Sequence, residues 1–345
     1  MDMITVLNTI RANATSDYQD RIPEANRDNL ESIRYAMIDG DNIMVANEFM
    51  GTLLNKLVKS VVHTKMFSNP LKSLKKGKKP IGDTIEEIYN NFIKGGEFES
   101  LGSTLLERHL PDTKTVYHRM NYQLQYPITV SREILSKAFA SYDALDSYIS
   151  NLIAQLYNSA ELDEFANTKQ LIKSAIDKKA IKIIDVADPT TSEANGKEFI
   201  KTVKTISGLM TFPSTEFNGY LEAQTTDTEP IRTFSRKNEQ ILILPTDVDV
   251  SLNVDVLASI FNMSVAEFND TRKIIVDVLP ETTDGKKIAG CLVDEAFFQI
   301  YDDLFTVTSF YNGKGLYTNY YLNVWQTLAF SILVNAVAFT VPGTP

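Results

Sequence analysis

Between Ser131 and Lys179 the chain carries neither glycine nor proline, and the flanking prolines are Pro127 and Pro189. Within that stretch Leu135, Ala138, Phe139, Tyr142, Leu145, Ile149, Leu152, Ile153, Leu156 and Ala160 recur. Their period lies near 3.6 rather than near 2, which defines an amphipathic helix with a wide apolar stripe. Ser131 stands at the N-cap, and Glu133 sits in the first turn, at the positive end of the helix dipole. Fully helical, the stretch spans roughly 70 Å; a break after Asn158 is expected and leaves a spine of about 40–50 Å. Either length exceeds the usual globular helix of roughly 11–12 residues. The stripe is too broad for a coiled-coil seam. A helix this long needs a broad surface to lie across, and a β-sheet is the expected one.

Length and charge narrow the classes. A chain of 345 residues has room for about two domains. Its 43 % apolar and 23 % charged content is that of an ordinary globular protein with a sizeable core. Cys291 is the single cysteine, so no intrachain disulfide forms, which fits a reducing compartment. Met1-Asp2-Met3-Ile4 lacks the basic start and apolar run of a signal peptide. The most apolar segment, Leu328 to Val341, includes Ser331, Asn335 and Thr340 and falls short of the ~20 residues of a membrane span. Neither export by that route nor membrane insertion is expected. The formal net charge of −10 repels nucleic acid except where base is concentrated. One such place is Lys72, Lys75, Lys76, Lys78 and Lys79 around Gly77.

Along the chain, residues 1 to about 25 are polar and weakly periodic, and an extended or loosely ordered arm is expected. Asn26 to Met37 reads as a short helix. Asp41 reads as the cap of another through Val62, with Met44, Met50, Leu53, Leu54, Leu57, Val58 and Val61 near one face. From His63 to Pro127 prolines and glycines interrupt the pattern. There Thr84 with Glu87 forms a capping box ahead of Ile85, Ile88, Tyr89 and Phe92, which predicts a helix. Thr115 to Val130 alternates and predicts strand. The whole 60-residue excursion reads as a projecting arm with little core of its own. After the spine, strands are expected at Ala180–Val186, Glu239–Leu244, Lys273–Leu279 and Lys287–Val293, the last two joined as a hairpin through Asp284-Gly285. Helices are expected at Lys197–Ile206 and Asn253–Asn262, with another opened by Ser264 and Glu267. Leu304–Phe310, Leu316–Thr327 and Val334–Val341 complete the strands, as candidates for the sheet beneath the spine.

Catalytic and metal-binding patterns are missing from this reading. His63, His109 and His118 are not at ligand spacing, Cys291 has no CxxC partner, and there is no GxSxG. Asp247-Val-Asp249-Val-Ser251-Leu-Asn253-Val-Asp255 resembles half of a calcium loop, but Leu252 replaces the turn glycine and Ala258 the bidentate glutamate. Alternation explains it as an exposed edge strand. Asn312-Gly313-Lys314-Gly315 lies between two strands and reads as a turn, not a phosphate loop. The lysine run has no interleaved aromatics for base stacking, so a solvated loop, or one docking on an acidic partner such as another copy, is expected. Nucleic-acid binding through Lys72–Lys79 is the alternative. No cofactor, no metal and no enzymatic activity are expected, and the pattern points to a subunit of an assembly.

Several segments then resemble one family. Ser68-Asn-Pro-Leu, Lys75-Lys-Gly and Gly82-Asp-Thr-Ile-Glu-Glu-Ile resemble the arm region of major capsid proteins from small podoviruses of Gram-positive hosts. Phe261-Asn-Met, Val293-Asp-Glu-Ala-Phe-Phe-Gln-Ile-Tyr-Asp, Ser309-Phe-Tyr-Asn-Gly-Lys-Gly-Leu-Tyr, Val324-Trp-Gln-Thr and Asn335-Ala-Val-Ala-Phe are similar to its C-terminal half. The resemblance covers roughly residues 40 to 345. It implies the α+β Hong Kong 97-type shell fold: an N-terminal arm at 1–62, an extended E-loop at 63–127 and a peripheral domain with the spine at 128–199. An axial domain at 200–296 and return strands at 297–345 complete it. An immunoglobulin-like decoration domain is not expected. The implied role is self-assembly, through hexamers and pentamers, into an icosahedral shell around double-stranded DNA. The implied partners are a scaffolding protein and a portal, with assembly in the host cytoplasm. On that reading Lys72, Lys75, Lys76, Lys78 and Lys79 are inter-subunit contacts, and Gly95-Gly96 is a hinge.

Overall fold

The computed structural model describes residues 3–39, 43–53, 67–79, 84–96, 108–138, 142–223, 229–252 and 272–342. In chain order the helices and strands begin with α1 (Met3–Asn13), α2 (Ser16–Arg21), α3 (Leu30–Arg34) and α4 (Ile43–Thr52). Next come β1 (Lys75–Lys78), β2 (Thr84–Asn90), β3 (Thr113–Arg119), β4 (Tyr122–Ser131), α5 (Arg132–Ala138), α6 (Tyr142–Asp177) and β5 (Lys182–Asp185). The chain continues with α7 (Glu193–Leu209), α8 (Tyr220–Ala223), β6 (Gln240–Pro245), α9 (Thr246–Ser251) and β7 (Lys273–Val276). It ends with β8 (Lys287–Asp294), β9 (Phe298–Asn312), β10 (Tyr317–Phe330) and β11 (Ala336–Val341). Two compact units result. One comprises Met1–Asn69, Tyr122–Glu164 and Asp302–Gln326; the other Pro70–Asn121, Phe165–Tyr301 and Thr327–Pro345.

The spine is α6, and the break expected after Asn158 does not occur. Its 36 residues run unbroken past Asn158, about 54 Å at the standard rise. No glycine or proline interrupts the ladder, and buried Ile172, Ala175 and Ile176 continue the apolar stripe. The stop comes at Lys179, which adopts a left-handed φ of 56°. There the Lys179 N–H donates to Ile176 O and the Ala180 N–H to Ala175 O at 2.8 Å, so two terminal carbonyls are satisfied. Before it, the Ser131 hydroxyl accepts from the Ile134 N–H at 3.3 Å and caps α5.

In the first unit, β10 pairs antiparallel with β4 from Tyr317↔Ser131 to Gln326↔Tyr122. Alternation turns Val130, Tyr320, Leu322 and Val324 into one core with Leu152 and Leu156 of α6. The N-terminal residues belong to this core, so the loosely ordered arm expected for residues 1–25 is not what forms. Val6, Leu7 and Ile10 share one face of α1, and Thr15 caps α2 by accepting from the Tyr18 N–H. Tyr18 is 1 % exposed, and burial raises its phenol above the usual range. The weak periodicity hid these helices because a single apolar stripe in a polar segment is enough once a sheet-backed core receives it. In α4, Val45, Phe49 and Met50 are buried, whereas Met44, expected on the same face, points to solvent at 83 % exposure. Asp41 and residues 54–62 of that expected helix lie outside the described residues.

In the second unit a five-stranded sheet has the order β5-β11-β8-β6-β7. β11 runs parallel to β5, β7 runs parallel to β6, and β8 is antiparallel to both β11 and β6. β6 is buried along its whole length, which explains its continuous apolar run. α7, capped by Ser192, lays Phe199, Ile200 and Val203 on Leu242, Leu244, Leu292 and Phe339. The expected hairpin between the strands at Lys273 and Lys287 does not form. A turn is present, with Gly285 at φ 74°, but β6 lies between β7 and β8 because the more apolar strand takes the central place. The segment at Thr246–Ser251 is the helix α9, not an edge strand. Its Asp247 and Asp249 are held by Lys287 and Lys273, so those carboxylates neutralise lysines rather than await calcium. The helices expected at 253–262 and after Ser264 lie outside the described residues.

Candidate functional site

Residues 84–90 are a strand, not the capped helix that Thr84 and Glu87 predict. Every residue from Thr84 to Asn90 pairs antiparallel with the segment from Arg119 back to Thr113. A capping box is a four-residue local signal, and seven cross-strand pairs override it. The alternation then sorts the side chains. The inner face packs Tyr89 and Val116 against Tyr220, Ile231 and Leu333. Beside them the His118 ring nitrogen lies 3.0 Å from one Glu87 oxygen, and the Ser331 hydroxyl donates to the other. The Tyr89 hydroxyl donates to Arg232 O, and burial raises that phenol. Asn121 closes the root by donating to Leu328 O at 2.8 Å and accepting from the Leu328 N–H at 2.9 Å.

The outer face is different. Ile88 is 57 % exposed and Tyr117 62 %. Beyond the strands, Ile93 and Leu110 are 88 % and 85 % exposed. Large apolar side chains are thus left uncovered on a well-anchored hairpin. Nothing in local sequence marks Ile93 or Leu110, since apolar residues in a glycine-rich stretch carry no periodic signal.

The basic cluster is not a free loop. Leu71 and Leu74 bury a short 3-10 turn at Pro70–Leu74, and Lys75–Lys78 form β1 beside β9. Gly77 sits in that strand at φ 101°, a conformation that only glycine adopts without strain. Lys76 donates through Nζ to Glu295 O at 2.7 Å. Lys72, Lys76 and Lys78 are exposed, and Lys75 and Lys79 are half-buried. Gly95 and Gly96 lie in an exposed irregular segment after β2. Neither has a positive φ, and a Cβ on either meets nothing within 4 Å. His109 is exposed near the hairpin tip, His118 is placed above, and His63 lies outside the described residues. Cys291 is fully buried, and burial pushes its thiol up to about 12. Asn312–Gly315 is the turn joining β9 to β10, with Asn312 Oδ1 accepting from the N–H groups of Lys314 and Gly315. Among the described residues, no three acidic, histidine or cysteine side chains are grouped as metal ligands, and no helix is long and apolar enough to cross a membrane.

A long spine helix over an antiparallel sheet, a separate mixed sheet and an anchored hairpin is the architecture of tailed-phage capsid proteins. The capsid protein of Staphylococcus phage Andhra superposes with a TM-score of 0.66 at 14 % identity, over 82 % of this chain and 87 % of that one. A chain from the mature capsid of bacteriophage PhiM1 gives 0.51 at 12 % identity, over 83 % and 91 %. The fold is thus the α+β, Hong Kong 97-type capsid fold. Sequence narrows the class further. Residues 7–340 match the model of the Phi29-like phage major capsid protein family. The major capsid protein of Bacillus phage PZA is 33 % identical over 347 residues, 99 % of this chain and 73 % of the relative. That of Bacillus phage GA-1 is 36 % identical over 298 residues, 85 % of this chain and 60 % of the relative. The chain belongs to the Phi29-like phage major capsid protein family. Its role is that of a virion capsid subunit, acting in many copies.

Proposed function

We infer that the chain closes an icosahedral shell around a phage genome through contacts made by segments its own body leaves uncovered. The observation that carries this reading is the hairpin β2–β3, with its root fixed and its outer face and tip apolar and exposed. Each copy then makes several modest contacts, and closure multiplies them. Lys72, Lys75, Lys76, Lys78 and Lys79 border an acidic neighbour, and Gly95-Gly96 lets the tip adapt to slightly different lattice positions. In this account 1–62 acts as the arm, 63–127 as the E-loop, 128–199 as the peripheral domain with the spine and 200–296 as the axial domain, with 297–345 as return strands of the peripheral and axial domains. A scaffolding protein, a portal and packaged DNA are the partners, the site of assembly is the host cytoplasm, and the role is structural rather than catalytic. The test is negative-stain microscopy of the expressed chain with its scaffold. Hexamers, pentamers or shells are expected; a monomer at every concentration contradicts the reading.

A further inference from the structure

We propose that a cationic cleft at the hairpin tip is the socket for an acidic, partly apolar segment of a neighbouring copy of this chain. The cleft, about 920 Å³, opens between residues 91–95 and 108–112 of the tip and the segment Glu229–Arg232. Lys94, Arg108, His109 and Arg232 line it and are exposed. None of the four forms an ion pair among the described residues. Of the acids among the described lining residues, Asp112 is already held by Lys114 at 2.8 Å, and that lysine lowers its pKa; Glu229 is the other. Among the described residues, then, Lys94, Arg108 and Arg232 are cations outside any ion pair, on a chain whose net charge is −10.

The cleft is also preformed. Asn91 donates through Nδ2 to Asp112 at 3.0 Å and to Pro230 O at 3.2 Å, and its Oδ1 accepts from the Arg232 N–H at 3.3 Å. Phe92 leans on Phe234 with ring centroids 6.4 Å apart. A rigid socket loses little freedom on filling. The apolar share of its lining is Ile93, Leu110 and Phe92. An occupant must therefore bring carboxylates for the cations and an apolar side chain for the aliphatics. An acidic protein supplies such segments from its own surface, and copies that would otherwise repel are attracted at this one place. Nucleic acid fits less well: the most exposed apolar lining residues are aliphatic rather than stacking aromatics, and Glu229 opposes a phosphate.

The proposal rests on the shell reading and names the chemistry of one of its contacts. The experiment mixes heavy-isotope-labelled and unlabelled chain before assembly, then couples amines to carboxylates in purified shells with a carbodiimide. Mass spectrometry is expected to find Lys94 joined to aspartate or glutamate of the opposite isotope. R108E is expected to cut shell yield about ten-fold, while R108K keeps it and the melting temperature of both stays that of the parent. Coupling of Lys94 only within one isotope means the chain's own residues fill the cleft, and overturns the proposal. Intact shells with no Lys94 coupling, or full yield from R108E, overturn it as well. So does a result in which R108E leaves shells unchanged but weakens DNA retention with salt. If shells form and only the cross-links fail, the cleft is wrong and the shell reading stands; if the parent chain forms no shells, both fall.

Discussion

The N-terminal helices and the β2–β3 hairpin treat their apolar side chains in opposite ways. α1 and α2 turn Val6, Ile10 and Tyr18 into the chain's own core, where each is almost fully buried. The hairpin buries Tyr89 and Val116 on its inner side but leaves Ile88, Ile93, Leu110 and Tyr117 in solvent. Both segments are anchored, so exposure of the second is not a matter of loose attachment. The difference separates residues that specify the fold from residues left uncovered, which on the proposed reading make the contacts between copies.

That separation can be broken by substitution. Ile10→Ala removes core packing and is expected to cost about 2–5 kcal/mol in chemical denaturation. A loss of a few tenths would show that α1 is not part of the folding core. At the hairpin root, Glu87→Ala strips His118 and Ser331 of their partner, and a loss of about 1–3 kcal/mol is expected in the same assay. Smaller again, Thr15→Ala removes the cap of α2 and is expected to cost about 1 kcal/mol. On the outer face Ile88→Ser is expected to change folding by no more than about 0.5 kcal/mol while lowering the yield of shells by microscopy. Equal loss of folding and yield would erase the contrast between the two regions.

The sequence foretold the parts whose signal is local and long. The stretch without glycine or proline marked the spine, alternation marked β4, and aromatic and β-branched residues marked β10. It misled where a short motif competes with distant pairing, as at Thr84 and Glu87, whose strand partner lies some thirty residues on. It also misled at residues 1–25, because sparse apolar positions become a core only when a receiving surface exists. The candidate site shows the same limit. The lysines at 72–79 stand out by density, yet the structure fixes part of them in a strand. Lys94, Arg108 and Arg232 are scattered along the chain, and only the fold gathers them.

The most direct test of the central claim is an electron cryomicroscopy map of assembled shells, read at the hairpin. The account predicts that Ile88, Ile93 and Leu110 are covered by atoms of a neighbouring copy while α1 stays packed in its own subunit. A shell in which those three side chains still face solvent would contradict it.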